Sequence, residues 1–507
     1  MVSRLNIKLD RVQTLILAFA CVLSLYSLWF FLDNKIYLIG SDAWSYMSLA
    51  DNILENGEMR NLYSIPSRAV KAPQNGIAFV HVMLLLLGIG AKERILSIVI
   101  INYLFYLSGV YPLYKIACIS GLRRGWPLVA LLSVYLGAWH IYRINLLAIN
   151  DGIFNSYMLW LVYLIVEFVH RKTNDKLKLF SFSDLKRFVG IIVIVMITIH
   201  FRLNVILIVG SALLSALSIR DFRMASWFVI ICLSMILSFL AVYIFVEISH
   251  LQDGRWKEYF FPLFTSVSIY HIKMQLWKIL PRLVAGLSGL TNPLVTLFFF
   301  IFPLSMMYYG IKGIIEENFN KVFIAGICIT GLWFTLSFPN ARVIWYIFPF
   351  IYLILLNLKK IRFIGYAFVF LVFFQSFQLF YIGFWRSPES LFWLYVYENS
   401  ISLPKEDPLL VIGSGRAPYF HFNTRSYDTT PENDQIKIPK ELKWDLIENR
   451  GFLYVIGDST YKASVFPQIN EMANSNDYIL KRNSITPDLD KFEGWSIVEI
   501  AIKKNPK

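Results

Sequence analysis

The sequence predicts an all-α polytopic membrane protein of about eleven transmembrane helices, followed by a small C-terminal α/β domain, and three observations carry that expectation. Only 16% of the 507 residues are charged, against about 25% in soluble globular chains. Runs such as 15–32 and 188–199 are apolar all round rather than on one stripe, as helices facing lipid or buried in a bundle must be. The net charge of +14 is gathered in short clusters between those runs. That arrangement orients a chain in a bilayer; a nucleic-acid binder would carry a basic patch or stripe on one face, and no nucleic-acid partner is expected.

The N-terminal stretch is basic and leads into the first apolar run. That run is long, and Asp33, Asn34 and Lys35 follow it instead of a small-residue cleavage site, so it reads as an uncleaved first span. Further candidates, each near the roughly 17–25 residues that a span needs or a little shorter, bring the set to 12–32, 95–117, 126–144, 152–169, 188–200, 203–218, 225–248, 291–311, 321–338, 343–358 and 361–384. Residues 77–90 are apolar but short, and read as a helix lying at the membrane surface. In 188–218 a single helix would bury His200 and Arg202 near its middle, at about 2.5–3.5 kcal/mol for a charge. Two short helices with a turn at 200–204 avoid that cost. Cys21, Cys118, Cys232 and Cys328 all fall in or beside apolar segments, so neither a disulfide framework nor a zinc-type cluster is implied.

Short basic loops stay in the cytoplasm. This assignment places Arg4, Lys8 and Arg11, the cluster 115–124, the six cations of 170–187, Arg220 with Arg223, the cluster 312–321, and Lys359, Lys360 and Arg362 on one side. Lys92 and Arg94 are the exception. Letting 77–90 span would put Arg123, Arg124 and the six-cation loop outside. The expected protein is therefore a multi-pass plasma (inner) membrane protein with a cytoplasmic N-terminus. It divides into a membrane domain over 1–385, whose first outer loop is 33–94, and a periplasmic or extracellular domain over 386–507. In that tail 409–412, 452–456 and 495–502 read as strands between turn residues, and Gly413-Ser414-Gly415 reads as a plain turn. No internal repeat is visible.

Three polar constellations share the outer face. The first is the segment from Gly40 to Gly57, a helix with Tyr46, Ala50 and Leu54 on one packed face and Asp42 at its start. Asp42 reads either as a cap favoured by the helix dipole or as a general base at the water–membrane boundary. The second is Asp151, entering the fourth span, an interface residue or a second functional acid. The third is a set of cations, Lys71, Arg202 and Arg342, with His200 and Arg255 as weaker members. Such cations are commonly snorkelling anchors, yet three loops converging on one face would also form a phosphate clamp.

Asp42, Tyr46, Ala50, Leu54 and Gly57 resemble the first-loop pattern of the C-type (GT-C fold) glycosyltransferase superfamily, to which protein O-mannosyltransferases and lipid A aminoarabinose transferases belong. Lys71-Ala72-Pro73 resembles the Lys-Pro step of the aminoarabinose transferases. Asp151 falls where the family places a second acid. Arg342, ahead of Trp345, Tyr346 and Pro349, looks like the family's late Arg-Tyr-Pro region. Over residues 10–385 the resemblance implies a GT-C-like fold and a membrane glycosyltransferase that takes a monosaccharide from a polyprenyl-phosphate donor. The acceptor would be a lipid, polysaccharide or protein, and single displacement with inversion is expected. In that implied site Asp42 is the base and Asp151 orients the acceptor or the base. Lys71, Arg202 and Arg342 bind the donor phosphate, and Tyr46, His200 and Arg255 support them. No cofactor is required, no metal-ligand cluster is seen, and a divalent metal is left open. Ala43 stands where the family commonly has an adjacent acid, which favours a bacterial polysaccharide or lipid-glycan enzyme over a protein O-mannosyltransferase. The alternatives are a transporter or flippase of lipid-linked glycans, and a non-catalytic anchor presenting the tail.

Overall fold

The computed structural model describes residues 10–33, 41–57, 76–122, 125–137, 150–174, 182–202, 204–248, 293–337, 347–367, 388–403 and most of 411–505, with Lys35 and three two-residue strands between 60 and 69. Each of the eleven apolar stretches is helical over most of its described length. The helices are α1 (Arg11–Asp33), α2 (Ser41–Asn56), α3 (Gly76–Leu86), α4 (Ala91–Ser108), α5 (Val110–Ile119), α6 (Trp126–Gly137), α7 (Asn150–Asn174), α8 (Phe182–Phe201), α9 (Val205–Ser218), α10 (Phe222–Ile248), α11 (Pro293–Ile315), α12 (Phe319–Ser337) and α13 (Phe348–Asn357). Among the described residues four helices are long and apolar enough to cross a membrane: Arg11–Asp33, Ala91–Ile119, Gly152–Arg171 and Phe222–Ala241. The break between α8 and α9 falls between Phe201 and Val205, where two short helices were expected to turn.

What each helix buries follows from its small and polar residues. Helix α1 turns Ala20, Ser24, Ser27 and Phe31 inward and packs on α6, while Leu15, Phe19, Val22 and Trp29 stay exposed on the face available to lipid. The Ser24 hydroxyl lies 3.0 Å from the hydroxyl of Tyr103 on α4. The hydroxyls of Tyr106 and Tyr135 each donate to the other residue's carbonyl oxygen. Gly109, between α4 and α5, makes room for this exchange, since a Cβ there would meet the Tyr135 hydroxyl. Helices α9 and α12 approach through Ser211, Ser215 and Gly326, with Ser211 and Thr330 hydroxyls 3.1 Å apart. Small residues of this kind let helix backbones come close where lipid removes the hydrophobic drive between helices. Helix α13 is buried on every face from Phe348 to Leu356.

The first loop is more ordered than its polarity suggests. Helix α2 packs on α3, but Leu54 is 39% exposed, so the expected face of Tyr46, Ala50 and Leu54 is corrected. The buried set is Ala43, Trp44 and every residue from Met47 to Asn52, so the middle of α2 is enclosed on all sides rather than along one stripe. Asp51 accepts a 2.6 Å hydrogen bond from Nη1 of Arg94, which is 3% exposed. His81 of α3 is buried beside this pair. Among the described residues neither of its ring nitrogens has a hydrogen-bond partner. Burial, and then the Arg94 charge, bring its pKa down to about 3 and keep the ring neutral. Two-residue strands β1 (Arg60–Asn61) and β3 (Arg68–Ala69) pair antiparallel. Between them β2 (Ser64–Ile65) leaves the loop to join a distant sheet.

That sheet belongs to the C-terminal region. It is built from β4 (Val411–Gly413), β5 (Ser426–Asp428), β8 (Phe452–Gly457), β9 (Tyr478–Ser484) and β10 (Ser496–Lys504), with β6 (Thr430–Glu432) and β7 (Gln435–Lys437) forming a separate ladder. The strand order is β2-β5-β4-β8-β10-β9, parallel from β2 to β8 and antiparallel thereafter. Strands β4, β8 and β10 fall where the sequence predicted strands. Gly413 ends β4, and Ser414 and Gly415 lie outside the described residues. Period-2 alternation splits β8 between two cores. Leu453 and Val455 face a core with Ile447 of α15 (Trp444–Arg450) and Val465 and Ile469 of α16 (Ser459–Asn474). Tyr454 and Ile456 join the core that runs through the helical bundle. The bridge to that bundle is α14 (Pro388–Glu398), whose Phe392 meets Phe492 and Trp495 edge-on or tilted, ring centroids 5.7 and 5.9 Å apart.

Breaking a buried ion pair leaves an uncompensated charge and costs about 3–5 kcal/mol, whereas replacing both partners by apolar side chains of similar volume is close to neutral. Asp51→Ala is therefore expected to lower the unfolding temperature of the detergent-purified protein sharply. Asp51→Leu combined with Arg94→Met is expected to recover most of that loss in the same thermal scan.

Candidate active site

The acids proposed from sequence both open helices. Ser41 and Asp42 begin α2, and Asn150 and Asp151 begin α7. A carboxylate in a first turn is favoured by the positive end of the helix dipole. The side chains of both acids lie outside the described residues, but their helices do not. Ala43, Trp44 and Met47 seat the start of α2 in the core. The start of α7 is fixed by contact with α4. A Cβ on Gly152 would lie 2.5 Å from the amide carbon of Asn102, so that carboxamide rests on bare backbone one residue past Asp151. Asn102 is fully buried and lies about 16 Å along α4 from Ala91 at 1.5 Å per residue. The start of α7 is thus recessed from the end of α4 that carries the first loop.

Arg202 follows α8 directly and is half-buried. Its backbone N–H closes the helix on the carbonyl of Thr198 at 3.0 Å. The preceding residue, Phe201, is the hub of this end of the bundle. Its ring lies 5.8 Å from the ring of Tyr157 on α7, and it occupies the space that a Cβ on Gly76 would need, 2.7 Å away. The start of α3, the end of α8 and the second turn of α7 therefore meet at one place. Asp151 and Arg202 are thereby brought to the same region, and Asp42 is tied to it through the packing of α2 on α3. Lys71, Arg255 and Arg342 lie outside the described residues. In sequence Lys71 stands five residues before Gly76, and Arg342 six before the start of α13.

Two supporting residues have definite surroundings. His200 shares a 3.1 Å hydrogen bond between Nε2 and the hydroxyl of Ser238 on α10, a helix-to-helix tie that also steadies the turn carrying Arg202. Tyr46 is half-buried and packs on the bundle core. The residues that sequence reading passed over are Asn102, Gly152, Tyr157 and Phe201. Asn102 carried a usable signal, since a carboxamide inside an apolar run of spanning length is expensive and marks a specific contact. Gly152, Tyr157 and Phe201 carried none, because their role is to fill or vacate space beside a distant helix. The arrangement sets two acidic residues at helix starts and Arg202 at the turn that follows α8.

No protein-family model matches this sequence, and no curated protein matches it. Solved structures do. ArnT from Cupriavidus metallidurans in the apo state superposes with a TM-score of 0.57 at 13% identity, over 96% of this chain and 97% of that one. The Archaeoglobus fulgidus oligosaccharyltransferase, tethered to an acceptor peptide containing the NVT sequon, gives 0.51 at 11% identity over 94% of this chain and 73% of that one. The archaeal oligosaccharyltransferase AglB from the same organism, in complex with an inhibitory peptide and a dolichol-phosphate, gives 0.51 at 10% identity over 88% and 69%. Likeness at such identities is likeness of fold, and the fold is the GT-C arrangement that the first-loop residues had suggested.

Gly152→Ala forces a methyl against Asn102 and is expected to cost about 1–3 kcal/mol, the usual range for overpacking. Adding Asn102→Ala should return much of that loss, because the clashing amide is gone. A double-mutant cycle on thermal unfolding in detergent reads the coupling.

Proposed function

We propose that this chain is a membrane glycosyltransferase that moves a monosaccharide from a polyprenyl-phosphate donor to a lipid, polysaccharide or protein acceptor on the outer face of the membrane, with inversion at the anomeric carbon. The observation that carries the reading is a GT-C fold along nearly the whole chain, with both sequence-flagged acids at the starts of helices α2 and α7. A neighbour of the same fold holds dolichol-phosphate, which supports a lipid-phosphate donor.

In this reading the donor's isoprenoid tail lies among the lipid-facing helices and its sugar-phosphate reaches the recessed start of α7. The acceptor hydroxyl gives its proton to the Asp42 carboxylate as its oxygen attacks the anomeric carbon. The bond from that carbon to the phosphate oxygen breaks, and the electron pair leaves on the lipid phosphate. That leaving group is already acidic, so the site must supply positive charge rather than a strong acid. Arg202, Lys71 and Arg342 supply it. Asp151 orients the acceptor or the base, and no cofactor is assigned. The N-terminus is assigned to the cytoplasm and residues 386–507 to the periplasmic or extracellular side.

The test compares wild type with Asp42→Asn at matched expression, measuring label passed from a radiolabelled polyprenyl-phosphate sugar into membrane glycans. Loss of the base should cost about 10²–10⁴-fold in rate. Near-normal turnover by the variant would remove Asp42 from this role. No transfer by the wild type, across a panel of sugars and acceptors, would turn attention to flipping of lipid-linked glycans in vesicles.

A further inference from the structure

The C-terminal region grips the first loop at its beginning, its middle and its end. At the beginning, Lys35 lies two residues past α1, with its ammonium 3.0 Å from the carboxylate of Glu398 and 5.7 Å from the centre of the Tyr397 ring. At the end, Lys92 in the first turn of α4 stands 4.4 Å over the same ring. In the middle, Ser64 and Ile65 pair in parallel with Ser426 and Tyr427. One aromatic ring on α14 thus receives a cation from each end of the loop. Two residues on from Lys92, Arg94 holds Asp51 of α2. The rigid first turn of α4 therefore connects Tyr397 to the helix that Asp42 opens. Lys92 and Arg94 were also the two cations that broke the pattern of basic loops on one side, and both have a partner that answers their charge.

We propose that Tyr397 is a positioning residue for the transfer reaction: through Lys35 and Lys92 its ring clamps the first loop onto the C-terminal region and so holds α2, with Asp42, in its working place. This role presupposes the transferase reading above. The ring face carries the clamp, because a cation over an aromatic face is attracted by the ring quadrupole and the phenolic hydroxyl adds little. Phenylalanine preserves such a contact. Leucine keeps much of the apolar bulk and loses it.

The experiment uses the full-length protein purified in detergent, as wild type, Tyr397→Leu and Tyr397→Phe. Two readouts are taken: the rate of limited tryptic cleavage within the first loop, at Arg60, Arg68 or Lys71, and the rate of sugar transfer. In Tyr397→Leu, loop cleavage is expected to rise about five- to thirtyfold, the shift that losing two exposed cation–π contacts allows, and transfer to fall with it. Tyr397→Phe is expected to match wild type in both. Unchanged cleavage in Tyr397→Leu, or a Tyr397→Phe variant as loose as the leucine one, overturns the clamp. Faster cleavage with undiminished transfer overturns the positioning role. Absence of transfer in the wild type overturns the transferase reading instead, while cleavage still reports on the clamp.

Discussion

Helices in a hydrocarbon solvent cannot be driven together by the hydrophobic effect, because lipid tails are as apolar as leucine, and every backbone polar group must be satisfied within its own segment. That constraint shapes the whole membrane part of this chain. Association depends on close approach and on answered polar groups. Gly109 lets two tyrosines exchange hydrogen bonds with each other's carbonyls. Ser211, Ser215 and Gly326 let α9 and α12 touch. Gly152 accepts the carboxamide of Asn102, and Gly76 accepts the ring of Phe201. The last two contacts also fix the helix ends around the candidate site, so the same small residues that hold the bundle aim its chemistry.

At the end of the bundle that carries the first loop the balance changes, and charges are used. Arg94 is almost fully withdrawn from solvent yet paired with Asp51, a contact that is weak as a source of stability but strong as a determinant of register, since any slip of α2 against α4 would strand a charge. The neutral His81 beside it adds no further charge to that small enclosed space. An aromatic ring serves as a partner for cations here as well, as Tyr397 does for Lys92. The first-loop end is therefore held by specific, directional contacts, whereas the bundle is held by many small ones.

Much of this was legible in the sequence. Apolar runs gave helices in place, the cost of burying His200 and Arg202 located the break between α8 and α9, and the acids at Asp42 and Asp151 do open helices. The packed face of α2 was misjudged because a four-residue repeat marks one stripe, whereas partner elements enclose Met47 to Asn52 on every side and leave Leu54 in the open. Strand β9 passed unread because its neighbouring charges, Lys481 and Arg482, suit a sheet edge and hide the strand pattern, although Arg482 lies over the ring of Phe466 on α16. Strand β2 could not be read at all: two residues carry no periodicity, and their partners lie in a part of the chain that only folding brings near.

That pairing between β2 and β5 has a consequence for biosynthesis. Ser64 leaves the ribosome about 360 residues ahead of Ser426, its partner in the sheet, which at roughly 5–20 residues per second is a wait of about 20–70 s. Through most of that interval the bundle can assemble helix by helix, while the first loop has neither its sheet nor the ring of Tyr397. Tyr454, Ile456 and Ile497, the sheet face that joins the bundle core, emerge later still, onto a bundle already built. A stretch translated after the bundle is thus the one that closes the first loop. A chain that terminates before it would leave an inserted bundle whose first loop has nothing to dock on, a clear mark for quality control to find.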